Sequence, residues 1–366
     1  MTSRLTVRKG RKLVLHLDVN NTVFIGDSVT KQMTPEAALN EYLVDVAWGK
    51  LDTTGSWKSL DNSLHDKPPD REAISYYRFA QSKYNGKPRE QFKTHIRNFT
   101  DEEIGKSFKS FYNQMLTALQ FPGDLKICSN AELPSFTDIS GKSYHCIVPS
   151  FYKLLDYLFK SEQEFAIIFR TFGGDGHIVL QATKDFIDEM IIKNPQHNHT
   201  SVSSGKPVDS LAFGVKFTTG TMTRSNNQIS LEVPGEGTLS NLWDMYTYFS
   251  QSRGVQLVVD DYSWWEARNF CSTAAKPLLI DPCDETVHHI MFDDNFRPWE
   301  PEDSIVNVLT AKDKQFCSVD PKMFANVCVV KTDLYQSICD ENYFIDKIDL
   351  CERNYQKFVG KSEIKK

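Results

Sequence analysis

No run of this chain approaches the roughly 20 consecutive apolar residues that a bilayer-crossing helix needs, and no apolar stretch of signal-peptide length precedes Asp18. Membrane spanning and secretion are therefore not expected. The eight cysteines form no CxxC pair and no repeated spacing, so neither a zinc site nor a disulfide framework is suggested, and reduced thiols in the cytoplasm fit best. A basic surplus is also missing: net charge is -6, which leaves non-specific nucleic-acid binding without an electrostatic basis. The one basic cluster, Arg4, Arg8, Lys9, Arg11 and Lys12, reads as a solvated arm. Internal repeats and low-complexity runs are absent. What remains is ordinary globular material: 366 residues, 40% hydrophobic and 25% charged, enough for one large core or two modest ones.

Residues 12 to 18, KLVLHLD, form a short apolar run ending in an acid, the pattern of a buried parallel strand whose C-terminal end opens into a cleft. From about 34 to 120 the pattern turns helical, in PEAALNEYLVDVAWGKL, REAISYYRFAQSKY and DEEIGKSFKSFYNQMLTAL, and predicts a helical insertion at 25–148. Next, VPSFYKLLDYLFKSEQEFAIIFRTFGGDG reads as an amphipathic helix, a buried strand and a glycine-rich loop. The stretch from about 195 to 240 predicts a smaller β-containing insertion with a hairpin joined across TRSNN. Strand GVQLVVDD, a helix with a capping box from Ser263 to Glu266, strand VHHIMFDDN and a terminal strand and helix follow. Alternating strands and helices predict a doubly wound, mostly parallel Rossmann-like α/β sheet built from 1–24 and 149–366.

Four pieces of sequence then line up in order: DVNNT at 18 to 22, Thr171 after a second strand, Lys276 within AAKPLL, and Asp293 with Asp294 after a later strand. Their order and strand-end placement resemble the four motifs of the haloacid dehalogenase superfamily, over most of the chain, with the helical block standing where that family inserts its cap. The resemblance implies phosphoryl transfer through an aspartyl-phosphate on Asp18. It implies Mg²⁺ held by the Asp18 carboxylate, the Asn20 carbonyl, and Asp293 with or without Asp294. Thr171 and Lys276 would contact the phosphate of a small phosphorylated metabolite, helped by the peptide NH groups of Gly173 and Gly174.

One position departs from the pattern. The family's phosphatases carry an acid two residues after the nucleophile, where this chain has Asn20. An amide exchanges no proton near neutral pH, so a general acid/base worth roughly 100- to 10,000-fold is missing. Two alternatives stay open: a catalytically degenerate binding or regulatory protein on the same fold, and a dehalogenase that needs no metal.

Other residues compete for roles. Asp260-Asp261 rivals the later acidic pair, although Asp261 also suits the turn into the next helix. Arg268 or Lys206 could replace Lys276 as the cation. His16 reads as a core residue, His288 and His289 should face opposite sides of their strand, and His197 with His199 reads as a solvated loop. Trp264, Trp265 and Trp243 suit either an aromatic binding wall or core. Neither the substrate nor the oligomeric state is written in a transferable motif.

Overall fold

The computed structural model describes residues 11–27, 34–120, 134–137, 140–161, 163–193, 217–226 and 228–363. Arg4, Arg8, Lys9, His197, His199 and Lys206 lie outside them.

Strand β1 (Lys12–Asp18) is buried along all seven residues, because parallel neighbours flank it on both sides and both faces are covered. Alternate side chains still go to different places: Leu13, Leu15 and Leu17 join the larger core, whereas Val14 belongs to a second cluster.

The 35–119 segment is α and β mixed. Helix α1 (Pro35–Val46) is capped by Thr34, with proline at its first position. It ends at Val46, and β2 (Ala47–Leu51), β3 (Trp57–Leu64) and β4 (Ile74–Ser75) form an antiparallel sheet in the order β3-β2-β4. The helical periodicity of AWGKL is overridden at Gly49: a Cβ there would lie 2.3 Å from the Lys58 carbonyl oxygen and 2.4 Å from the Trp57 ring. The bare glycine lets this strand and indole close in. Helices α2 (Tyr76–Lys83), α3 (Arg89–Arg97) and α4 (Lys109–Leu119) follow, then the short pair β5 (Ser135–Thr137) and β6 (Ser143–His145). Contacts pin this segment to the rest: Tyr42 Oη donates to Asp333 at 2.7 Å, and Arg297 lies 3.7 Å from Asp45.

Helix α5 (Pro149–Lys160) and β7 (Phe165–Thr171) make the expected helix and strand, and the glycine-rich loop after them leads into helix α6 (Gly176–Lys193). Strands β8 (Phe217–Ser225), β9 (Gln228–Val233) and β10 (Gly237–Leu239) come next. Asn226 turns the β8–β9 hairpin in the left-handed region, φ 49°, which asparagine tolerates. The hairpin extends the main sheet: β8 pairs in parallel with β11 (Gly254–Val259), beyond α7 (Leu242–Gln251). Helix α8 (Tyr262–Glu266) is capped by Asp261, which accepts from the Trp264 N–H; the Ser263–Glu266 capping box therefore does not start it. The chain closes with β12 (Lys276–Ile280), β13 (Val287–Asp293), β14 (Val306–Lys312), β15 (Gln315–Ser318), β16 (Val329–Lys331), α9 (Leu334–Cys339) and α10 (Tyr343–Glu363).

The main sheet has eight strands in the order β10-β9-β8-β11-β7-β1-β13-β16. Six of them, from β8 to β16 in that order, run parallel. The chain steps from β1 to β7 on one side and later places β13 on the other, so β1 sits at a switch point, where open α/β sheets form ligand crevices. Strands β12, β14 and β15 form their own small sheet. The seven described cysteines are all free, and among the described residues no helix is long and apolar enough to cross a membrane.

Candidate functional site

Register sets the site. Asp18 pairs with Arg170 of β7, and Leu17 with Phe292 of β13, so Asp18, Thr171 and Asp293 leave neighbouring strands at the same edge. Lys276 is the first residue of β12 rather than a loop residue. Its ammonium, 2% exposed, donates to Asp18 Oδ1 and, at 2.9 Å, to Asp293 Oδ2. Asp18, Asp293 and Asp294 each bring an oxygen within 4.8 Å of the others. Burial pushes the Asp18 carboxyl well up against the pull of Lys276, with Asp293 and Asp294 adding to the rise. Burial and Asp293 likewise raise Asp294 to about 7. Burial works against the Lys276 ammonium, but Asp18 and Asp293 outweigh it and hold the group charged.

Two carboxylates thus share one ammonium in direct contact, with the Asp294 carboxyl close by, and a divalent cation would neutralise the surplus. Among the described residues the donor set is three carboxylates without histidine or cysteine, which suits a hard, oxygen-binding cation. Hydrogen bonds hold the acidic turn: Asn295 N donates to Asp293 Oδ1 at 2.9 Å, Asp294 N to Thr22 Oγ1 at 3.2 Å, and Lys331 Nζ to the Asp294 carbonyl at 2.8 Å. The Thr22 bond ties this turn to the loop after β1.

Asn20 has both amide hydrogens committed. Its Nδ2 donates to the Gly26 carbonyl at 3.0 Å and to Asp175 Oδ2 at 2.8 Å. Two acceptors on that side settle the orientation of the amide, leaving Oδ1 to face the Thr171 hydroxyl at 3.5 Å. Thr171 Oγ1 also accepts from Gly173 N at 2.9 Å, so this peptide NH is directed at the threonine. Gly173 lines the cleft, whereas Gly174 is exposed.

The rival acids have structural partners. Asp260 pairs in bidentate fashion with the fully buried Arg170, Nε to Oδ2 at 2.9 Å and Nη2 to Oδ1 at 2.6 Å. Arg170 Nη1 also donates to the Pro277 carbonyl at 3.1 Å. This guanidinium joins three strand ends, beside Thr171 and Lys276. Asp261 caps α8 and accepts from Arg224 N at 2.8 Å. Arg268 stacks on Trp264. His289 bonds to His16 at 3.1 Å and to Ser250 at 3.0 Å, while His288 bonds to the Val327 carbonyl at 2.8 Å; the two do face opposite ways. Burial drives His289 down to about 3.

The site opens into a cleft of about 930 Å³, which runs from Asp18, Lys276 and Asp294 to α1, α2 and α3. Trp265 lines it and stacks on Phe172, ring centres 4.9 Å apart. Trp243 instead packs on Tyr246 and Phe316. Comparison with family models, curated proteins and solved structures returned no significant match.

Sequence reading missed Arg170, Asp175 and Phe172. An arginine inside the apolar run AIIFRT signals a buried acid partner, since a lone buried cation is untenable. Nothing in FGGDG distinguishes its aspartate or phenylalanine from loop residues.

Proposed function

We propose that this chain is a Mg²⁺-dependent hydrolase of the haloacid dehalogenase type, acting on a small phosphorylated molecule through an aspartyl-phosphate at Asp18, with a doubly wound core and residues 25–148 as the cap. The observation that carries this reading is the Lys276 ammonium joining Asp18 and Asp293 at adjacent strand ends. Such a lysine pulls the nucleophile toward its ionised form against the effect of burial, orients it and offers charge to an incoming phosphate. Asp18, Asp293 and Asp294 would hold Mg²⁺, which when bound supplies charge neutralisation to the phosphate.

A second reading, a binding or regulatory module without turnover, is favoured by the state of Asn20, whose amide gives no proton and whose donors are already used. Metal-independent dehalogenation is the third, and EDTA-insensitive halide release would reveal it.

The test is chemical trapping. With Mg²⁺ and acetyl phosphate or phenyl phosphate, acid-quenched protein should carry one phosphoryl group on Asp18 by peptide mass spectrometry. Asp18→Asn should carry none and melt like the parent. Phosphate release by Asp18→Asn at the parent rate would refute the nucleophile; no phosphorylation and no turnover by the parent, with phosphate binding retained, would favour the module.

A further inference from the structure

The apolar part of the cleft has an unusual character. Of the thirty described residues lining it, eight are aromatic and one, Ile305, is a large aliphatic, although aromatics make up only 12% of the chain. Tyr262 and Trp265 meet Phe172 on one wall, with Phe270 packed on those two, and Tyr77, Tyr84 and Phe92 come from α2, α3 and the turn between them. Tyr262 and Phe270 remain 38% and 43% exposed, so they are not merely filling core. Phe172 follows Thr171 directly, and its ring centre lies 5.2 Å from the Lys276 ammonium. A phosphate held at Asp18 and Lys276 therefore has its ester substituent against rings, the surface that stacks best on another planar ring.

The second observation concerns the leaving group. Both hydrogens on Asn20 Nδ2 go to Gly26 and Asp175, and the Thr171 hydroxyl is directed at Asn20 Oδ1. Neither side chain has a proton for a departing oxygen. An alkoxide leaving unassisted is nearly as basic as hydroxide, whereas a phenolate matches the tyrosine side chain, which ionises near 10. Rings lining the cleft and a missing acid beside the nucleophile thus select the same chemistry.

We infer that the cleft takes aryl phosphates, monoesters of a phenolic hydroxyl, in preference to alkyl phosphates; this rests on the phosphohydrolase reading above. In the first step an Asp18 carboxylate oxygen bonds to phosphorus, the phosphorus–aryloxide bond breaks, and the electron pair leaves on the phenolate, which takes its proton from water. In the second, water adds to phosphorus, the bond to Asp18 breaks and the water proton passes to solvent. One ester and one water give one phenol and one phosphate. Nucleoside monophosphates share a flat ring but leave as alkoxides, which separates the two sources of stacking.

The experiment compares kcat/KM of the full chain with Mg²⁺ on phenyl phosphate, phosphoserine, adenosine 5′-monophosphate and acetyl phosphate, the last having a good leaving group and no ring. Phenyl phosphate should exceed phosphoserine and the nucleotide by about 100-fold or more. Trp265→Leu, and the exposed Tyr262→Ala should the first fail to fold, should raise KM for phenyl phosphate about 3- to 10-fold more than for acetyl phosphate. Equal turnover of phosphoserine or the nucleotide would overturn the inference while leaving a phosphohydrolase. An equal loss on acetyl and phenyl phosphate would overturn ring recognition. Failure of all four, with no phosphoryl group on Asp18, would overturn the phosphohydrolase reading and this inference with it.

Discussion

Asn20→Asp restores an acid two residues after Asp18, yet the structure predicts that it fails alone and succeeds only with Asp175→Asn. In the parent, Asn20 Nδ2 sits 2.8 Å from Asp175 Oδ2, and Asp175 is only 3% exposed. The single variant removes two hydrogen bonds, worth about 1 kcal/mol for the Gly26 carbonyl and about 1.5 to 3 kcal/mol for the charged partner. It also sets two carboxylates in contact. At an effective dielectric of about 20 and a charge separation of about 4 Å the repulsion is about 4 kcal/mol, close to the cost of keeping one carboxyl protonated at neutral pH. The new pair should therefore share a proton at mild acidity. Its folded state then binds a proton that the unfolded chain releases, so stability relative to the parent is highest below the unfolded carboxyl range and lost as pH rises.

Urea unfolding should show the single variant about 3 to 5 kcal/mol less stable than the parent near pH 8, and markedly closer to it near pH 5. The exchanged pair, Asn20→Asp with Asp175→Asn, keeps one amide-to-carboxylate bond and should lie within about 1 to 2 kcal/mol of the parent. It should also gain about 100- to 10,000-fold on alkyl phosphates. A single variant as stable as the parent at both pH values, or an exchanged pair worse than the single, would refute the assigned contact. A stable exchanged pair with no gain on alkyl phosphates would show that the acid is not what limits them.

Two further outcomes follow from buried charge. Arg170→Met leaves Asp260 buried without its bidentate partner and should cost about 3 to 5 kcal/mol, most of it recovered in Arg170→Met with Asp260→Leu; strictly additive losses in urea unfolding would argue against the pair. Burial lifts the half-buried Asp349 to about 6, opposed by Arg353, so its contribution is highest at low pH and is lost as pH rises through about 6. Asp349→Asn should be more stable than the parent near pH 8 by about 1 kcal/mol, after allowing for solvent screening, and the gain should vanish near pH 4; a pH-independent difference would exclude the titration.

Much of the core was legible because burial leaves a one-dimensional trace. A fully buried parallel strand must be apolar on both faces, which is why KLVLHLD, AIIFRT and VHHIMFD announce themselves as β1, β7 and β13, and why the acids ending β1 and β13 stand out. The β2–β4 sheet was illegible for the opposite reason. Ala47, Trp48, Gly49 and Leu51 fit a helical repeat, and only the closeness of Trp57 and Lys58 to Gly49 makes strand the better state. Likewise the place of β8 to β10 in the main sheet could not be read locally, because it rests on pairing with β11 across a helix.

The sequence alone determined which residues could carry chemistry: an aspartate after the first strand, a lysine, and a later pair of acids, since charge at the end of an apolar run can be read without coordinates. Tertiary structure decided which of them meet. Strand register put Asp18 beside Asp293 across 275 positions of chain and β12 brought Lys276 between them, while Asp260, an equal candidate on paper, was taken by Arg170. It also decided the orientation of Asn20 and the aromatic lining of the cleft, because hydrogen-bond direction and shared walls arise between segments distant in sequence, where no local pattern records them.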